Sequence, residues 1–139
     1  MEKTKQKGVT LVETVVAMAI FIIVSAAIFL TCNYSIKTQA QNEVKHFFVV
    51  ETENVAMCYY SKDFDNALTF LMGENSDKIE KNNETKTYSI FYSKELKVTS
   101  NDKAKYKLSI CFENTEEIFI SSTNLENGKE IYRYGGENA

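Results

Sequence analysis

Lys5-Gln6-Lys7-Gly8-Val9-Thr10-Leu11-Val12-Glu13 is followed by an apolar run from Val15 to Leu30. A basic leader ends in a glycine, and four residues of modest polarity and one carboxylate precede a segment long enough to enter a membrane. Glu13 is the unusual element. A charge at the edge of a membrane segment is costly and calls for a function.

Two plain readings account for part of this pattern. A basic region before an apolar one is the layout of a secretory signal peptide, and Ser25-Ala26-Ala27 would serve as a small-residue cleavage site. However, an acid between the lysines and the apolar core gives a signal peptide nothing, and Ile28, Phe29 and Leu30 carry the apolar run past that site. A plain single-pass anchor explains Val15 to Leu30 and leaves Gly8 and Glu13 without a role.

The residues Lys7-Gly8-Val9-Thr10-Leu11-Val12-Glu13 resemble the class III signal of type IV pilins and of the pseudopilins of type II secretion and competence systems. In that family a prepilin peptidase cuts after the glycine, and the same enzyme usually methylates the new N-terminus. The resemblance implies a cut between Gly8 and Val9, methylation of Val9, and Glu13 at the family's acidic position, the fifth residue after the cut. Thr10, Leu11 and Val12 would join Glu13 in assembly. Val9 stands where the family most often has phenylalanine, and the apolar segment lacks the proline that kinks many major pilins.

Elementary chemistry supports these roles. Glycine has no Cβ, so the chain can extend tightly into a protease site. Lys3, Lys5 and Lys7 would hold the leader in the cytoplasm by the positive-inside rule. Leader removal would expose an ammonium at Val9, and in a bundle of parallel helices the Glu13 carboxylate of one subunit can meet the Val9 ammonium of the next. Opposite charges about 4 Å apart attract by roughly 4 kcal/mol at an effective dielectric near 20. An unpaired carboxylate in the membrane costs roughly 2.5–3.5 kcal/mol. The pair would therefore favour the assembled register over the lone subunit. Glu13 as a charge complementing the helix dipole explains less.

The 139 residues allow one small domain beside a long helix. Net charge is −3, and without the first eight residues, which hold three lysines and one glutamate, 13 basic side chains face 18 acidic ones. That balance gives no reason to expect nucleic-acid contact. The absence of proline and tryptophan reads as compositional bias.

Beyond the apolar run the helical pattern continues. Ala40, Val44, Phe47, Phe48, Val55, Cys58 and Tyr59 recur at steps of three, four and seven and predict one apolar face, with Lys37, Gln41, Lys45 and Asn54 mainly opposite. No glycine or proline interrupts Val9 to Tyr60, so the pattern predicts a helix of about 52 residues, roughly 78 Å at 1.5 Å per residue. Its first half would lie in the membrane and filament core, and its second would cover a sheet. Asp63 is suited to cap a short helix through Phe64, Leu68, Phe70, Leu71 and Met72, ended by Gly73. Glu74 to Glu84 is polar and reads as a loop.

From Thr85 the period changes to two. Tyr88, Ile90 and Tyr92 alternate with Thr87, Ser89 and Phe91, and Leu96 and Val98 follow. After a turn at Ser100-Asn101-Asp102, the series Tyr106, Leu108, Ile110 and Phe112 marks the cleanest half-buried strand. Ile118 and Ile120 start another. Asn127-Gly128 signals a hairpin leading to Ile131, Tyr132 and Tyr134. Gly135-Gly136 reads as a flexible tail. Three or four antiparallel strands against one long helix make an α+β fold, which the pilin resemblance also implies.

Of three cysteines, Cys32 lies at the outer end of the apolar run. A disulfide between Cys58 and Cys111 would tie helix to sheet on an oxidising side of the membrane, while two buried free thiols are the plainer reading. The single histidine, His46, sits on the helix without nucleophilic or acidic companions at catalytic spacing. Asp63-Phe64-Asp65-Asn66 lacks the glycine and distal glutamate of an EF-hand loop. Some pseudopilins hold calcium in their sheet loops, which draws attention to Glu113, Asn114, Glu116 and Glu117, although a solvated acidic turn is the simpler reading. No cofactor, metal or enzymatic activity is expected.

The expected organisation is a leader at 1–8, a transmembrane and filament-core half-helix at 9–31, an amphipathic half-helix at 32–60, a variable connection at 61–84 and a sheet region at 85–139. The resemblance implies a minor pilin or pseudopilin with prepilin peptidase, other subunits, an inner assembly platform and membrane lipid as partners. It would be membrane-inserted with its N-terminus inside, then part of a surface or envelope-spanning filament. The alternative is a membrane-anchored extracellular binding protein that does not polymerise.

Overall fold

The computed structural model describes residues 3–61, 63–114 and 117–135, without the side chains of residues 3–9, 113 and 114. Its elements are α1 (Lys3–Tyr59), α2 (Phe64–Met72), β1 (Glu80–Asn82), β2 (Thr87–Tyr92), β3 (Val98–Thr99), β4 (Tyr106–Asn114), β5 (Glu117–Asn124) and β6 (Glu130–Tyr134). Contacts group them into two compact units, Met1–Gln41 and Asn42–Ala139.

The first unit is the N-terminal part of α1. The helix begins at Lys3, so it takes in the stretch read as a leader as well as the apolar run. Side chains 10–37 are all exposed. Thr14 and Thr31 turn their hydroxyls back to the carbonyls of Thr10 and Ala27, each at 2.8 Å. Such back-bonding lets a helix carry hydroxyls on an apolar surface without leaving a donor bare.

The second unit is α+β. Its sheet is antiparallel throughout, in the order β1-β2-β4-β5-β6, with β3 also on β2. The end of α1 and α2 contribute to one core with the sheet: Phe48, Val55, Ala56, Leu68 and Met72 meet Tyr88, Ile90, Tyr92, Tyr106, Leu108, Ile110, Ile118 and Ile120. Alternation along β4 sends Tyr106, Leu108 and Ile110 to that core and Lys107, Ser109 and Cys111 to the other face.

On the core face of α1, Val44, Phe47, Phe48, Val55, Cys58 and Tyr59 are buried or half-buried as the period predicts, but Ala40 is exposed. Thr52 and Ala56 complete the stripe, and Asn54, expected opposite, is half-buried. Thr52 is fully buried, and its Oγ1 is the one buried side-chain polar atom without a hydrogen bond among the described residues. An orphan hydroxyl costs about 1–3 kcal/mol in lost solvation, and valine has nearly the same shape. Thr52→Val should therefore stabilise this unit by about 1 kcal/mol, read as a higher melting temperature in a thermal scan.

Asp63 caps α2 by accepting from the Asn66 backbone N–H at 3.2 Å, and Gly73 ends the helix at φ 54°. The polar stretch read as a loop holds more structure than its composition signals. A 3-10 helix covers Gly73–Lys78, and β1 adds an edge strand whose three residues are all exposed. Asn82 Oδ1 accepts from the N–H groups of Glu84 (3.0 Å) and Thr85 (3.3 Å) and so forms the turn into β2. Among the described residues the strand count is six, against an expected three or four, and the sheet starts at Glu80 instead of 85.

The β5–β6 hairpin closes where the Asn127-Gly128 signal places it. Asn124 N–H donates to Lys129 O at 2.9 Å, and Gly128 stands at φ 66°. Gly135 is also fixed. It adopts φ 76° directly after β6, close against the Ile118 carbonyl, which corrects its reading as part of a flexible tail. Gly136 lies outside the described residues.

Candidate functional site

The N-terminal segment is the candidate functional region, and polar ties hold the second unit together. Gly8 and Val9 lie within α1, and their side-chain surroundings, like those of Lys3, Lys5 and Lys7, lie outside the described residues. The residues expected to serve in assembly lie among the described ones. Leu11 and Val12 are 70% and 62% exposed, and Thr10 and Glu13 are exposed beside them. From Leu11 to Ile36 the helix displays a continuous apolar surface, including Val15, Phe21, Ile23, Phe29 and Leu30. Burying such a surface is worth about 25 cal/mol per Å², so it favours lipid or other helices over water. Among the described residues, α1 is the one helix long and apolar enough to cross a membrane.

Residues 3–29 match the family described as the prokaryotic N-terminal methylation motif. The chain carries a prepilin-type signal. This is the signal of type IV pilins and pseudopilins, and the match spans the basic leader, Gly8, Glu13 and most of the apolar run. The prepilin-type signal implies processing by prepilin peptidase and assembly with other pilins, and the pilin-type family is structural rather than catalytic. With its apolar helix, the prepilin-type signal fits a membrane-anchored pilin, and the α+β unit that follows is consistent with a pilin-like fold. No curated protein and no solved structure matches the chain.

The second unit is held by two part-buried tyrosine–carboxylate bonds that sequence reading did not find. Tyr92 donates its hydroxyl to Glu51 Oε1 at 2.8 Å, joining β2 to α1. Burial and then the Glu51 carboxylate push the Tyr92 phenol far above its usual range, so it stays a donor. Tyr88 donates to Asp65 Oδ1 at 2.5 Å, and Lys81 pairs with the same carboxylate at 3.1 Å, joining α2 to β1 and β2. The Tyr88 bond and then Lys81 hold the Asp65 carboxyl below its usual range. Asp63 and Asp65, read as close-spaced oxygen ligands, are thus committed to a cap and a tie. Tyrosines four apart on a strand share a face, a usable signal, but nothing in the sequence names their acidic partners.

The cysteines do not pair. Cys58 and Cys111 are free thiols. Cys58 is buried at the end of α1, and burial raises its pKa. Cys111 projects from the face of β4 opposite the core and lies 3.7 Å from Thr87 Oγ1. With the sheet between them, the two Cβ vectors cannot meet the geometry of a disulfide. His46 is exposed on α1. Side chains 113 and 114 and residues 115 and 116 lie outside the described residues, and with them all but Glu117 of the acidic turn considered for calcium.

Proposed function

We propose that this chain is the precursor of a minor pilin or pseudopilin, a subunit that works by joining a filament. Prepilin peptidase cuts between Gly8 and Val9 and methylates Val9. The mature helix enters the filament core, where Thr10, Leu11, Val12 and Glu13 contact neighbouring subunits and Glu13 meets the Val9 ammonium of one of them. An inner assembly platform extracts the subunit from the lipid. The filament serves a type IV pilus, a secretion pseudopilus or a DNA-uptake pseudopilus.

The observation that carries this reading is the prepilin-type signal at the head of a helix whose side chains 10–37 are all exposed. An apolar surface of that length with a carboxylate at its edge needs partners outside the chain, and a bundle of identical helices supplies both the apolar packing and the opposite charge.

Mass spectrometry and N-terminal sequencing of the protein from membrane and sheared-surface fractions test the proposal. The expected chain starts at Val9, carries one added methyl group and occurs in the sheared fraction. Glu13→Ala should still be cut but should fall at least tenfold in the sheared fraction. A chain starting at Met1 in all fractions would indicate a non-polymerising anchor, and one starting near Ala27 a conventional signal peptide. Normal incorporation of Glu13→Ala would remove the proposed ion pair.

A further inference from the structure

The sheet face opposite the core carries a cleft of about 700 Å³ between the β1–β2 hairpin and β4. Its floor is Thr87 and Ser89 of β2, with Lys107 of β4 on one side and Glu80 of β1 on the other. Asn83 and Glu84 of the hairpin turn form the rim. The arrangement follows from strand parity. Glu80 pairs with Ser89 and Asn82 with Thr87, so these four residues share the face that turns away from α1 and α2.

Two features suggest that this cleft holds a ligand. Ser89 is only 8% exposed, yet its hydroxyl has no hydrogen-bond partner among the described residues and lines the cleft. The Ser89 oxygen is not sealed from solvent, since Thr52 Oγ1 is the one buried side-chain polar atom left unbonded among the described residues, and a hydroxyl that opens on a cavity without an internal partner can bond whatever enters. Lys107, Glu80 and Glu84 also line it and form no ion pair among the described residues. The Lys107 ammonium lies over the Phe91 ring, 5.7 Å from its centroid. The volume lies within the span of small-molecule sites, about 300–1,000 Å³.

The chemistry of the lining selects among ligand classes. Lys81 also lines the cleft but is already paired with Asp65, so two carboxylates face one ammonium free of ion pairs, a balance that disfavours a phosphate or another polyanion. The near absence of apolar side chains disfavours a lipid or an aromatic group. Among the described residues no group of three acidic, histidine or cysteine side chains is placed to hold a metal. A Ser89 hydroxyl that can donate and accept, a Thr87 hydroxyl that can accept while it donates to the Thr85 carbonyl, carboxylates that accept from adjacent hydroxyls, and amide and ammonium donors together suit a neutral polyhydroxyl ligand. We propose that the cleft over Ser89 binds a short neutral oligosaccharide, with Ser89 and Thr87 under the ring hydroxyls, Glu80 and Glu84 accepting from hydroxyl pairs, and Lys107 donating from the far side.

The test is saturation-transfer NMR and calorimetry on the full chain in a detergent without a sugar headgroup, with lactose, maltotriose and chitotriose as probes. At least one should bind, with ring protons saturated from the protein. Ser89→Ala and Glu84→Gln should each weaken it at least tenfold, while Ser121→Ala, on the same face outside the cleft, should leave it unchanged. Glu84 is exposed in a turn, so its variant keeps the fold even if Ser89→Ala does not. The proposal is overturned if none of the three sugars binds, if binding survives Glu84→Gln unchanged, or if Ser121→Ala weakens it equally.

Discussion

Phe48→Ala should cost the second unit about 4 kcal/mol, in the range for deleting a buried ring. Phe48 is fully buried on α1 and packs edge-on against Phe47, Tyr92 and Tyr106, with ring centroids 5.2, 5.4 and 5.6 Å away. Each such pair adds about 0.5–1.5 kcal/mol beyond the area it buries. The truncation leaves a void beside Tyr92, whose hydroxyl must stay placed to reach Glu51. A domain of this size changes its melting temperature by roughly 4–8 °C per kcal/mol, so a fall of roughly 15–30 °C is expected. Circular dichroism of the full chain in detergent measures it. His46→Ala, two residues away on the exposed side of the same helix, should leave the transition within a degree or two. A fall of less than about 5 °C for Phe48→Ala would mean that α1 does not cover the sheet through this residue.

Gly135→Ala should be nearly as damaging for a different reason. A Cβ built on Gly135 would lie 2.2 Å from the carbonyl oxygen of Ile118 and 3.3 Å from its carbon. Both are backbone atoms of β5, which cannot rotate aside as a side chain can. The positive φ adds about 1–2 kcal/mol for any residue bearing a Cβ, and relieving the overlap adds about 1–3 kcal/mol more. The expected loss is about 3 kcal/mol, together with faster amide exchange along β6. Gly128→Ala separates the two contributions. Gly128 has a similar φ of 66°, but a Cβ there meets nothing within 4 Å, so its cost is conformational alone. Equal losses at the two glycines would show that the contact with Ile118 is not made.

Side chains that report their own environment made much of this fold legible. Apolar steps of three and four predicted the buried face of α1 from Val44 to Tyr59, and alternation predicted β2, β4 and the start of β5. Asp63 and Gly73 set the ends of α2 by local chemistry that needs no tertiary contact. The features that escaped depend on the rest of the chain. β1 is exposed at all three positions and has no apolar period to detect; its pairing with β2 defines it. Thr52 is buried by the helix face it occupies despite its hydroxyl. Gly135 carries no signal apart from being glycine, and its requirement comes from a strand passing beside it. At the N-terminus the balance is reversed. The pattern from Lys5 to Leu30 was readable because a prepilin-type signal implies reading by a peptidase and by other pilins, so its logic does not depend on contacts within the chain.

The two tyrosine ties have one strand in common. Tyr88 holds α2 through Asp65, and Tyr92 holds α1 through Glu51. Four residues of strand separate the tyrosines by about 13 Å, a distance set by backbone geometry. Together they act as a gauge on β2 that sets where each helix is anchored. The chain between α2 and β2 does not set that spacing. Insertions or deletions around Glu74–Asn75 or Asn83–Lys86 can therefore accumulate between relatives while both helix anchors keep their register. A segment of this kind can change its surface quickly while the framework beneath it keeps its dimensions.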